Sequence, residues 1–262
     1  MLKRRVIVVL YLIDGFITRS EGFRIHQRLG HPIHHVDRLT EWDVDELVVL
    51  DISRGVHQYE TDRYDYRHKG PKDLFEFIRQ ISSNCRIPLT FGGRIRSLED
   101  VRIRIQNGAD KITLNSVLAD KPELITEAAH AFGNQAIKAS IDFKMVNDNP
   151  VVFTHNASTP QDSTPAEWAR KAEKFGAGEI LLNAIDRDGK ACGFDHETIQ
   201  SVVDAVSIPV IACGGAGHYR HFLECLEKTG AAAVAAGNIF HFTENAYPNL
   251  KTFLRSKRSD IR

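Results

Sequence analysis

The chain has 262 residues, 42% of them hydrophobic, 26% charged and 9 of them proline, which supplies one large core and fits a single domain over residues 1–262 rather than several small ones. Lys+Arg 34 balances Asp+Glu 34 for a formal net charge of +0, so no global field favours nucleic acid or an anionic membrane, and any anion site has to be built locally. Four cysteines, Cys85, Cys192, Cys213 and Cys225, without CxxC spacing, a signal peptide or an apolar run of spanning length, predict free thiols in a reducing cytoplasm.

Short β-branched runs alternate with stretches of helical period. In chain order the pattern predicts strands over 6–12 and 46–51, a helix over 72–82, a strand over 88–91, a helix over 97–107, a strand over 111–115, a helix over 121–132 and a strand over 137–142. A helix over 164–175, a strand over 179–184, a helix over 195–205, a strand over 209–213, a helix over 219–228 and a strand over 232–236 complete it. Thr164-Pro165-Ala-Glu167 combines an N-cap, a first-turn proline and a capping-box Glu, and Ser97-Leu-Glu-Asp100 is a weaker version. Eight β-α units in this length imply an α/β (β/α)8 barrel, although a doubly wound sheet has a comparable period.

Internal repetition favours the barrel. Ile87-Pro-Leu-Thr-Phe-Gly-Gly93 parallels Ile208-Pro-Val-Ile-Ala-Cys-Gly214, and Gly108 to Ser116 parallels Gly230 to Asn238. Glu46-Leu-Val-Val-Leu-Asp51 likewise answers Glu179-Ile-Leu-Leu-Asn-Ala184. An offset of half the chain is what a duplicated half-barrel gives. Each half carries a glycine-rich strand end and then a strand ending in small polar residues. Such a pair makes a phosphate cup, because glycine lets backbone N–H groups approach an anion. The bland alternative is two tight turns after buried strands. Two opposed cups imply a ligand with a phosphate at each end.

Asp45 to Asp51, Gly108-Ala-Asp-Lys111, Asn115-Ser116, Ile141-Asp142, Gly176-Ala-Gly-Glu179, Asp186-Arg-Asp-Gly189, Cys213-Gly-Gly-Ala-Gly217 and Ile239-Phe-His-Phe242 resemble the cyclase subunit of imidazole glycerol phosphate synthase over essentially the whole chain. The resemblance implies a (β/α)8 barrel of the ribulose-phosphate-binding type. It also implies a heterodimer with a glutaminase subunit, whose ammonia passes through the barrel and cleaves and cyclises a doubly phosphorylated ribulose nucleotide in histidine biosynthesis. No cofactor is implied.

Carried over residue by residue, the resemblance puts one catalytic carboxylate on Asp142 and the other on Tyr11, which is not a carboxylate. Positioned proton transfer contributes ~10²–10⁴-fold per group, and a phenol with a pKa near ~10 replaces an acid only if strongly perturbed. Asp14 lies three residues along, where period-two alternation sends it to the other face, so the plain expectation is that Tyr11 fills the barrel mouth. Phosphate and substrate positions fall on Arg19, Gly93, Arg94, Asn115, Ser116, Asp188, Gly189, Gly214, Gly215, Gly237 and Asn238. Arg94 stands where the family has a third glycine, either to bind a phosphate bidentately or to block it. Val9 stands where the family usually has Cys, with no evident chemical meaning. The polar, Tyr-rich loop between Ser53 and Pro71 is a candidate for a changed substrate or acceptor.

At the opposite mouth the family's ammonia gate and glutaminase interface match Arg5, Glu46, Lys111 and Glu179, with Asp110 beside them. A structural salt-bridge collar is the alternative. His34, His35, His68, His218, His221 and His241 form no set at zinc spacing, so no metal is expected. Cys213 is expected as a small buried residue, not a nucleophile. The favoured function is an ammonia-conducting paralogue that serves a sugar-type acceptor together with a third, amidating protein. A working histidine-pathway cyclase and a catalytically silent glutaminase-binding scaffold are the alternatives.

Overall fold

The computed structural model describes residues 3–53 and 73–262, so apart from Ser53 the Tyr-rich loop lies outside the described residues. In chain order the elements are β1 (Arg5–Ile13), β2 (Phe16–Glu21), β3 (Ile25–Gly30), α1 (Pro32–Glu41), β4 (Glu46–Asp51), α2 (Leu74–Asn84), β5 (Leu89–Gly92), α3 (Leu98–Gln106), β6 (Lys111–Leu114), α4 (Val117–Asp120), α5 (Glu123–Phe132) and β7 (Ile137–Val146). There follow β8 (Asn149–Thr154), β9 (Thr159–Pro160), α6 (Pro165–Lys174), β10 (Glu179–Ala184), α7 (His196–Val203), β11 (Val210–Cys213), α8 (Tyr219–Lys228), β12 (Ala233–Ala236), α9 (Ile239–Phe242) and α10 (Ala246–Lys257). Eight strands pair in parallel in the order β1-β4-β5-β6-β7-β10-β11-β12, and β12 returns to β1 through Arg5 and Ala233. The sheet is therefore a closed (β/α)8 barrel, not a doubly wound sheet.

Alternation along β1 explains how one strand serves two cores. Val6, Val8, Leu10 and Leu12 face outward into the apolar layer under the helices, whereas Ile7, Val9 and Tyr11 face the barrel interior with Val48, Leu181, Ile211 and the small Ala233 and Ala235. Each fully buried large aliphatic side chain stabilises by about 1.5–3 kcal/mol, so a one-residue slip of this strand would exchange the two sets and forfeit both. The helices start as their caps require: the Thr164–Glu167 and Ser97–Asp100 capping boxes are both formed. Helix α10 closes the bottom, where the Tyr247 hydroxyl donates to Val6 O and accepts from Asp45 N while Lys251 Nζ lies 2.6 Å from Asp45 Oδ2.

Antiparallel strands extend two of the barrel strands at the C-terminal face, β2 and β3 after β1, and β8 and β9 after β7. β1 turns into β2 through Asp14-Gly15, with φ of 51° and 82°, and β7 turns into β8 through Asn147-Asp148, with φ of 50° and 62°. Both are two-residue loops with left-handed central residues, the turn whose twist matches paired strands.

Candidate active site and axial ring

The C-terminal mouth opens into a cleft of about 780 Å³ that takes in Gly93, Arg94, Asn115, Ser116 and Asp142. Glycine is required at its rim. Gly93 has φ 97°, and a Cβ there would lie 2.1 Å from Asp51 O; its counterpart half a barrel away, Gly214, has φ 94° and a Cβ position 2.5 Å from Ala184 O. Asp51 and Ala184 end equivalent strands, so the half-barrel repeat seen in the sequence holds at the level of individual carbonyls. The Gly93-Arg94 turn is held from behind by Arg104, 1% exposed, whose guanidinium donates to Gly93 O at 2.9 Å, Arg94 O at 3.4 Å and Asp100 O at 2.8 Å. Nothing in the sequence pattern singled Arg104 out, because an Arg on an amphipathic helix reads as solvated.

Asp142 stands at the floor of the cleft, buried, with Asn115 Nδ2 3.1 Å from Oδ2 and Asn183 Nδ2 3.1 Å from Oδ1. Burial pushes its carboxyl up to about 7 despite those two amide donors. Asn183, missed by sequence reasoning, pairs in register with Asp142 and could have been found by counting in twos from Glu179. Tyr11 is buried in the interior cluster, its ring edge-on to Phe23 at 5.4 Å. Burial, then Asp188, Cys213 and Asp142, raise its phenol well above the ordinary value, against a smaller opposing effect of Asn183. The phenol is neutral at any working pH. Cys213 is buried beside it and its thiol is pushed far up by burial, which suits packing and not nucleophilic attack. Asp14 is beyond the end of β1, in the turn, where its carboxylate lies 3.5 Å from Arg28; it is excluded as a stand-in by that turn and not by strand alternation.

The second cup differs from the first. Gly189, Gly214, Gly215, Gly237 and Asn238 do not line the cleft, and the β2–β3 hairpin reaches Asp188, Gly189 and Asn238. Asn238 Nδ2 donates to Ser20 O at 2.7 Å, Gly22 N donates to Asp188 O at 2.8 Å, and a Cβ on Gly189 would lie 2.5 Å from Ser20 O. The sequence marks the Gly93-Arg94 cup as the altered one, yet it is the one that lines the cleft, whereas the glycine-complete one is in contact with the hairpin. Arg19, on the same hairpin, pairs with Glu21 at 3.2 Å and stacks on Phe242. Asp188 is buried, its carboxyl raised by burial to about 6 against a smaller opposing effect of the Ser20 hydroxyl beside it. Over the open cup, His155, Asn156 and Ala157 are consecutively left-handed, and His155 N donates to Ser116 Oγ at 2.9 Å while its Nε2 lies 3.1 Å from Asp120 Oδ2.

At the N-terminal mouth, Arg5 bridges Glu46, at 2.6 Å, and Glu179. Lys111 Nζ lies 3.1 Å from Glu179 and 4.0 Å from Glu46. The four ring residues are thus one network, joined by Lys138, which sequence reasoning passed over although it lies four residues before Asp142 and hence on the same interior face. The cations overcome the burial penalty and hold Glu179 down at about 2 and Glu46 below the usual range. Asp110 is exposed beside the ring and not in it, its carboxylate accepting from Leu89 N at 2.8 Å. No group of three or more His, Cys, Asp or Glu side chains among the described residues could hold a metal ion, and no helix among them is long and apolar enough to cross a membrane.

This site sits on a chain with many relatives. The sequence profile of the family described as histidine biosynthesis protein matches residues 5–246. The imidazole glycerol phosphate synthase subunit HisF of Sulfurisphaera tokodaii is 39% identical over 262 residues, that of Metallosphaera sedula 38% over 262 residues and that of Bacillus pumilus 36% over 264 residues, in each case covering 100% of both chains. A barrel with this repeat, this mouth and matches of this length along the entire chain belongs to the histidine biosynthesis protein family, as a member of the HisF, cyclase-subunit type.

Proposed function

We propose that this barrel docks a glutaminase over its N-terminal ring, receives ammonia from it, and serves a phosphorylated acceptor at the C-terminal cleft in a reaction other than the two-carboxylate cyclisation of histidine synthesis. Tyr11 carries the proposal. A buried neutral phenol occupies the position of the second carboxylate, and its raised pKa leaves it able to donate a hydrogen bond but not to act as a base. Loss of one positioned proton-transfer group costs about 10²–10⁴-fold, while the ring, the Gly93-Arg94 turn and Asp142 remain in place around it. The favoured acceptor is sugar-like and amidated with a third protein; only the absent carboxylate supports that class. A protein of the cytoplasm is the accompanying expectation.

A second reading has its own observation. Asp142 at about 7 and Asp188 at about 6 both act on Tyr11, and two carboxyl groups held near neutrality by burial are suited to acid and base roles. Under that reading the chain is a working cyclase in which Asp188 replaces the missing carboxylate. Mixing the protein with the glutaminase of its own organism distinguishes the two. The first reading predicts a one-to-one complex with raised glutamine hydrolysis and no consumption of the doubly phosphorylated ribulose nucleotide. Consumption of that nucleotide, abolished by Asp188→Asn, would establish the second; absence of any complex would remove the first.

A further inference from the structure

Glu46 and Glu179 come from β4 and β10, which are separated by three strands in either direction around the closed sheet. An atom within hydrogen-bond reach of both therefore lies on the barrel axis. Lys138 Nζ is such an atom, 2.5 Å from Glu46 Oε1 and 3.2 Å from Glu179 Oε2, with Thr90 Oγ1 at 3.4 Å as a third acceptor. An ammonium group has three N–H donors, and all three have an acceptor here. The side chain is 0% exposed and starts on β7, where Lys138 pairs in register with Glu179 of the ring. The network then contains three cations, Arg5, Lys111 and Lys138, and two carboxylates, Glu46 and Glu179, so one positive charge is in excess.

We propose that Lys138 is a tethered occupant of the axial transit site: its ε-ammonium fills the position between Glu46, Glu179 and Thr90 that an ammonia or ammonium in passage would take, and bars the axis until it is withdrawn. This deepens the ammonia-receiving function proposed above and rests on it for its biological meaning, although occupancy of the site does not. Arg5 and Lys111 are partly exposed at the mouth and can swing toward solvent. Lys138 cannot, because it is enclosed in the interior. Opening the outer ring alone therefore leaves the path closed. The excess charge acts in the same sense, since it repels ammonium at a place of low dielectric.

Thallium(I), a monovalent ion close to ammonium in size with a strong anomalous signal, tests the occupancy directly. Crystals of the native protein, of Lys138→Met and of Lys138→Val are soaked in thallium acetate. Lys138→Met keeps the chain length and leaves Arg5 and Lys111 to balance Glu46 and Glu179, so it guards against the shorter variant failing to fold. The expected result is an anomalous peak between Glu46, Glu179 and Thr90 in Lys138→Val, and none in the native protein or in Lys138→Met, whose uncharged side chain still fills the position. A peak there in the native protein, or none in Lys138→Val with the carboxylates unmoved, overturns the proposal. A second readout, transfer of nitrogen from labelled glutamine in the glutaminase complex, should rise in Lys138→Val. If no complex forms but the thallium result holds, the functional reading has failed and the assignment of Lys138 stands.

Discussion

Asp142 is subject to two opposed influences: burial favours its neutral form, and the amides of Asn115 and Asn183 favour the carboxylate. Burial is the larger, so the folded-state pKa, about 7, lies above the unfolded value. A group raised in this way contributes stability that is full below its unfolded pKa and lost as pH rises through the folded one. Between pH 4 and pH 8 the native protein should therefore lose stability more steeply than Asp142→Asn, by an amount on the order of a few kcal/mol over the window, read by urea unfolding at stepped pH. Equal slopes would mean that the carboxyl titrates normally. Arg104 is the converse case, a charge buried to hold carbonyls. Arg104→Leu leaves Gly93 O, Arg94 O and Asp100 O without their donor and should destabilise by roughly 2–4 kcal/mol while weakening phosphate binding at the open cup; an unchanged midpoint would contradict the bracing role. At this scale the family resemblance disclosed Asp142 and Glu179. Asn183 and Lys138, which alternate from them along the same strands, and Arg104 were passed over, because a lone basic residue inside an apolar run is ordinarily assigned to solvent and an Asn carries no motif of its own.

Elements follow the same division. The eight barrel strands were legible because buried parallel strands are short β-branched runs and their crossover helices carry caps, as at Thr164 and Ser97. The hairpins were less so. Asp14-Gly15 is the commonest sort of two-residue hairpin signal, but β3 is largely exposed and shows no apolar alternation to announce a strand. α1 begins with Pro32 and a cap from the His31 ring, an unusual cap that sequence rules do not weight. The hairpin reaches the second cup through Ser20 at Asn238 and Gly22 at Asp188. A ligand with a phosphate at each end that fills both cups would contact it. Hydrogen exchange over residues 16–30 should therefore change on adding the doubly phosphorylated nucleotide and stay as it was with inorganic phosphate. Identical responses to the two ligands would show that the hairpin is fixed. At the paired glycine turns, Gly214→Ala places a side chain on a left-handed backbone 2.5 Å from Ala184 O and should cost at least about 2 kcal/mol, measured as a fall in the unfolding midpoint; a neutral outcome would mean that the turn relaxes freely.

For the whole molecule, the two mouths of the barrel tell different stories. The N-terminal mouth keeps a charged network drawn from five strands, β1, β4, β6, β7 and β10. Buried ion pairs stabilise little more than apolar packing would, which makes specificity or gating a better reason for five such residues than stability alone. The C-terminal mouth keeps the open Gly93-Arg94 cup and the buried carboxyl of Asp142, with the buried Tyr11 phenol near enough to Asp142 and Asp188 for both to raise its pKa. Fold and family were readable from repeat, period and motif together. The contact of the hairpin with the second cup and the placing of Lys138 on the axis were not, since both depend on how hairpin and interior side chains meet in three dimensions. The proposal that Tyr11 has taken this barrel out of two-carboxylate chemistry is tested most directly by turnover of the doubly phosphorylated ribulose nucleotide with saturating ammonium, native protein beside Tyr11→Asp. Binding without consumption is expected of the native protein and consumption of the variant. Consumption by the native protein at a rate matching or exceeding the variant's would contradict it.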